Sequence, residues 1–228
     1  MKKIMWLLAM LPLIVTSVVL QFMPDVIPMH HDLEGNTDRW GNKTESLVFP
    51  VIILAITLFW HLLIRAFEKK AAKAATEKEL TELKSSVKVL EIVGIAEAAA
   101  FGIMHYFILY SSYVQASIGG EKATLDIAKV SCFLMGLMLI VLGNYMPKAK
   151  KNAAVGLRTV WSMYNDVTWQ KSNRFAAVSI VVAGLLTIVT TAFASGIVST
   201  LFLLAYIIAT TIVSVAYSKN IYDKEIRK

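Results

Sequence analysis

Cys132 is the only cysteine in this 228-residue chain, which excludes an intramolecular disulfide and a thiolate metal cluster. A Gly-rich phosphate cradle, a Ser-x-x-Lys arrangement and paired acid/base aspartates are all missing. So is the helical His-Glu-x-x-His spacing of a zinc hydrolase. These absences give the chain no enzyme assignment, no cofactor and no metal. A small-x-small cleavage site is also lacking: the first apolar run ends in Phe22-Met23-Pro24. That run reads as a retained signal-anchor.

What is present is apolar length. Hydrophobic residues make up 57% of the chain, and the mean hydropathy is +0.61. A hydrocarbon core of roughly 30 Å is crossed by about 20 helical residues at 1.5 Å each. Six stretches meet that length: 4–23, 46–67, 90–113, 127–146, 174–193 and 196–217. The expected fold is an all-α integral membrane bundle of six spans, with an interfacial cytoplasmic loop between helices 4 and 5.

The net charge of +7 carries an orientation rather than a nucleic-acid groove. Alternate loops hold Arg39, Lys43, Lys122 and Lys129, and the remaining 19 of 23 Lys and Arg fall on the other side. This positive-inside bias places both termini in the cytoplasm of a bacterial plasma membrane. The organisation expected is a two-helix module at 1–67, a cytoplasmic helical linker at 68–89 and a four-helix module at 90–228. The linker is rich in Ala, Lys, Glu and Leu, strong helix formers, with a break expected near Ser85-Ser86. The small residues Gly94, Ala98 and Gly102 suit close helix packing, in a monomer or an oligomer alike.

Chemistry is confined to three places. The outer loop from Pro24 to Glu45 carries Pro24, Asp25, Pro28, His30, Gly35, Asp38, Trp40 and Lys43. It reads as a turn-rich loop held by Asx-type hydrogen bonds with Trp40 at the interface, as a divalent-ion site, or as a surface for an external ligand. Glu97 lies about 10 Å along the third helix from its inner end, where a carboxylate facing lipid costs several kcal/mol. It is either a structural clamp or part of a transport or signalling path, and an inward polar cluster of His61, Arg65, Glu97, Asn144 and Arg158 is expected around it. The inner segment 148–171 mixes Lys148, Lys150, Lys151 and Arg158 with Trp161, Tyr164 and Trp169, a pattern for the headgroup level of anionic lipid. Asp166 is the expected cap of the helix that follows.

Two segments resemble the SdpI-like family of bacterial membrane proteins. The first is Met23-Pro24-Asp25-Val26-Ile27-Pro28-Met29-His30, followed by Gly35, Asp38, Trp40 and Lys43. The second is Gly143-Asn144-Tyr145-Met146-Pro147-Lys148, followed by Asn152, Gly156-Leu157-Arg158-Thr159, Trp161 and Trp169. The chain departs from the family pattern at His31, often Trp there, at Val160, usually Pro, and at Asn173, commonly His.

The resemblance implies immunity against a secreted membrane-active antimicrobial peptide and signal transduction through a cytoplasmic transcriptional repressor. On that reading the outer loop faces the toxic peptide. Pro147, Lys148, Asn152, Gly156, Thr159, Trp161 and Trp169 then form the inner partner surface, with membrane lipids as the surrounding solvent. The alternative reading is a proton-coupled transporter of a small or peptidic solute, running through Glu97.

Overall fold

The computed structural model describes residues 1–32, 34–151 and 155–227. Six helices are long and apolar enough to cross a membrane. They are α1 (Lys2–Val19), α2 (Val48–Ala71), α3 (Glu77–Ile118), α4 (Ile127–Tyr145), α5 (Asp166–Phe193) and α6 (Gly196–Ile226). Two strands, β1 (Val26–His31) and β2 (Thr37–Asn42), form a hairpin between α1 and α2. The chain is a multi-pass membrane protein. Its lipid-facing sides carry Leu7, Phe22, Phe59, Leu201 and Ile212, all well exposed, as expected when hydrocarbon rather than water is the solvent.

The helices pack as two neighbouring sets. In the first, α1 and α2 lie on α3, with Met5, Ile64, Phe67, Leu90 and Ala98 buried together. The small-residue stripe of α3 is spent on this contact. A Cβ at Gly94 would meet Met5 Sδ at 2.8 Å, and one at Gly102 would meet Pro12 Cγ at 3.3 Å. In the second set, α4 lies on α5 almost backbone to backbone: a Cβ on Gly184 would sit 2.6 Å from the Gly136 carbonyl oxygen. Lipid tails are as apolar as leucine, so such close van der Waals approach is what holds helices together in a bilayer.

Helix ends are capped by side chains that satisfy the free N–H groups of the first turn. Asp126 Oδ1 accepts from Lys129 N at the start of α4, while its Oδ2 accepts from Gly196 N, 2.8 Å away at the start of α6. One carboxylate therefore ties two helices. At α5 the cap is Asn165, one residue before the expected Asp166, and it forms a capping box with Thr168.

One expectation is refined and another corrected. The segment expected as an ordered turn-rich loop contains the β-hairpin and a capped 3-10 turn, with Asx-type bonds at Asp32 and Asn42. The expected break near Ser85-Ser86 is absent: α3 runs unbroken from Glu77, and the chain turns at 72–76 instead. Thr76 caps α3 by accepting from Glu79 N at 3.2 Å, and Glu79 reaches back to Ala75 N. Ser86 bonds its own helix at the Glu82 carbonyl, so it does not interrupt the ladder. The 89/90 boundary thus falls inside one continuous helix.

Filling the tight α4–α5 contact should be costly. Gly136→Leu is expected to lower stability by about 1–3 kcal/mol, read as a drop in the thermal midpoint of purified protein in detergent. Gly120→Ala, whose Cβ would meet only ordinary contacts of 3.4 Å or more, should leave the midpoint unchanged.

Candidate functional site

The hairpin is fastened over one end of the bundle. Strand pairing sets Ile27 opposite Gly41 and Pro28 opposite Trp40, with irregular steps around His30. Its turn is organised by Asp32, which accepts from Glu34 N, Asn36 N and the Asn36 side-chain amide at 2.8–2.9 Å. Those bonds favour the ionised carboxyl and hold the Asp32 pKa below its ordinary value. Gly35 supplies the left-handed turn at φ 82°, and its carbonyl accepts from Ala123 N in the α3–α4 connection. Thr37 N donates to Glu121 O beside it.

Gln115 of α3 is the main latch. Fully buried, it donates from Nε2 to Thr37 Oγ1 at 2.6 Å and to the Gly120 carbonyl at 3.1 Å. Its Oε1 then faces His31 Nε2 at 2.9 Å, which fixes the proton of that imidazole on Nε2. Ser112 adds a bond to the Pro28 carbonyl. Neither Gln115 nor Ser112 was marked by the sequence, because each sits in an apolar helix with no local signal of its partner.

The predicted outer residues all lie on this hairpin or its flanks. His30 pairs with Asp38 at 2.6 Å, and both side chains are exposed. Lys43 joins Asp25 at 3.0 Å and the Met23 carbonyl at the same distance, so it ties the end of α1 to the strand exit. Pro24 is half-buried, Pro28 is buried, and Trp40 is exposed. Arg39 and Glu45 form an ion pair alongside.

Beneath the hairpin is a cavity of about 780 Å³. It is lined by Asp32 and Glu34, by Phe49 and Ile52, by His105 and by the starts of α4 and α6. Such a size is ordinary for a ligand site.

The five-residue inner cluster is not assembled. Glu97 accepts from Trp60 Nε1 of α2, and His61 Nδ1 accepts from Trp6 Nε1 of α1 at 3.2 Å. Asn144 is exposed and donates to the Ile140 carbonyl of its own helix. Arg65 and Arg158 are exposed. No hydrogen bond or ion pair among the described residues joins the five. Hydropathy locates a span but not its rotation, and the rotation leaves Asn144 exposed.

At the opposite end, the segment between α4 and α5 is folded by side-chain bonds. Gly156 has φ 110°, and a side chain there would strike Asn173 and Trp169. Asn173 Oδ1 accepts from Leu157 N at 2.7 Å, and Thr159 bonds Ser218 of α6 at 2.9 Å. Trp169 is only 4% exposed and donates to the Ala149 carbonyl. It is an internal anchor, a correction to its place on a partner surface. Trp161 is half-buried, and Pro147 and Lys148 are exposed. Asn152 lies outside the described residues. Lys78 of α3 pairs with Asp166 at 3.0 Å.

The SdpI/YfhL protein family matches residues 148–218, the whole α4–α5 segment after its first turn, α5 and most of α6. That part of the chain is similar to the SdpI/YfhL family. A domain of unknown function (DUF1648) matches residues 7–54, which contain most of α1, the hairpin and the start of α2. The protein named Immunity protein SdpI from Bacillus subtilis (strain 168) is 26% identical over 212 residues, covering 92% of this chain and 90% of that relative. No solved structure matches the chain.

Asp32 provides a pH test of the turn. Its folded pKa is depressed, so its stabilisation is present above the ordinary carboxylate range and is lost as pH falls through the folded value. An NMR titration of the Asp32 carboxyl should show the depressed midpoint, and Asn36→Ala should move it upward.

Proposed function

We propose that this chain is a membrane immunity protein that protects a bacterial cell against a secreted, membrane-active antimicrobial peptide. The observation that carries the reading is the 26% identity, spread over 92% of the chain, to a protein named for immunity. Catalysis plays no part in this reading. The hairpin end is the recognition face, and its latch to α3 gives an extracellular contact a route into the bundle.

The orientation belongs to the same proposal. The lysine-rich ends, including Lys2 paired with Glu68 at 2.7 Å, lie in the cytoplasm, and the hairpin lies outside. Residues 1–67 serve as the recognition module, 68–89 as the cytoplasmic link and 90–228 as the family module. Lys148 and Trp161, at the cytoplasmic end, are the candidate docking surface for a transcriptional repressor, by charge and aromatic anchoring.

Deletion of the gene is expected to raise sensitivity to at least one membrane-active peptide made by neighbouring strains. The intact chain should restore resistance, and Trp40→Ala should restore less of it at equal membrane abundance. Unchanged sensitivity of the deletion strain across a broad panel overturns the immunity reading. Reporter fusions at Trp40 and Trp161 should report opposite sides of the membrane.

A further inference from the structure

The cavity beneath the hairpin has a defined chemistry. Its lining includes Asp32, Glu34, Glu45 and Asp126 and, among the described residues, no Lys or Arg. Arg39 neutralises Glu45. Asp32 and Asp126 take their hydrogen bonds from backbone N–H groups and the Asn36 amide, which leave the carboxylate charge in place. The mouth is therefore acidic, while Phe49, Ile52, Ile108, Leu109 and Ile197 make the interior apolar.

Two buried polar atoms in the wall lack a partner, His105 Nδ1 and Ser111 Oγ. The state of His105 follows from its neighbour. Thr16 Oγ1 has one proton and gives it to the Pro12 carbonyl at 2.7 Å. The 2.7 Å contact between Thr16 Oγ1 and His105 Nε2 must then be donated by the imidazole. His105 carries its proton on Nε2, and Nδ1 is left as a bare acceptor. An orphaned buried acceptor is costly until a donor reaches it. The residue is 1% exposed and lines the cavity, where it offers an acceptor to a donor on a bound molecule.

We propose that this cavity binds a cationic amphipathic peptide. Its apolar side chains fill the space between α2, α3 and the starts of α4 and α6. Its basic groups meet Asp32 and Glu34 at the mouth, and one N–H donor satisfies His105 Nδ1. The choice of a peptide rests on the immunity reading; the cationic and amphipathic character rests on the cavity itself.

The test uses the full-length protein in phosphatidylcholine nanodiscs, with empty nanodiscs subtracted. The probes are a synthetic amphipathic Leu/Lys peptide and a Leu/Glu peptide of the same length and apolar face. Calorimetry should show saturable binding of the Leu/Lys peptide and at least tenfold weaker binding of the Leu/Glu one. Glu34→Lys, a change on an exposed side chain, should weaken Leu/Lys binding roughly fivefold, the scale of one charge contact near water. Ser111→Leu should abolish it by filling the cavity. Ile108→Trp fills the same wall and stands in if Ser111→Leu does not yield folded protein. Equal binding of the two peptides, or affinity for the Leu/Lys peptide untouched by both Glu34→Lys and a folded filling variant, overturns the proposal. Failure of the immunity reading shows elsewhere: a deletion strain with normal peptide resistance, whose protein still binds the Leu/Lys probe through Glu34 and Ser111, sinks that reading and upholds the site.

Discussion

A polar group inside hydrocarbon has no water to fall back on, and this requirement shapes nearly every side-chain contact between the spans. Thr16, Thr187, Thr191 and Thr200 return their hydroxyl protons to the carbonyl four residues earlier in their own helices. Three larger polar pairs instead reach across from one helix to another. Trp60 donates to Glu97, Trp6 to His61, and His105 to Thr16. These pairs all join members of the α1–α2–α3 set, so the same constraint that makes a buried polar atom expensive also specifies how that set is registered. The α4–α5 contact relies on close backbone packing, through Gly136, Gly143 and Gly184.

The two ends of the molecule solve different problems. At the hairpin end the backbone leaves the helices and is satisfied by a short antiparallel ladder, a carboxylate-centred turn and the Gln115 amide. At the lysine-rich end the described residues of the α4–α5 segment form no strand and are held by single side chains, notably Asn173, Ser162 and Trp169. The motif residues that resemble the family thus divide into exposed ones and ones that hold the segment closed. Gly156 and Trp169 belong to the second kind.

Much of the architecture was legible in the chain. The spans are long uninterrupted apolar runs, and the expected α4, α5 and α6 end or begin within a few residues of the observed helices over much of their length. The hairpin was obscured because β1 contains Pro28, which lacks a ladder donor, and its turn has no two-residue Asn-Gly signal. The start of α3 was written in Thr76-Glu77-Lys78-Glu79, a capping pattern, but the helix-forming residues on both sides masked it. Azimuth was the real gap. Single-sequence hydropathy does not say that Asn144 faces outward, that Trp60 supplies the donor for Glu97, or that Gln115 reaches two loops at once.

The 42 residues of α3 form one unbroken helix, a rod roughly 63 Å long. Its far end is pinned to α5 through Lys78, its near end is bolted under the hairpin by Gln115, and Gly94 to Gly102 seat it against α1 between them. A beam supported near its middle acts as a lever. Any tilt imposed at one tip must reappear, reversed in direction, at the other, without a single bond inside the helix being rearranged.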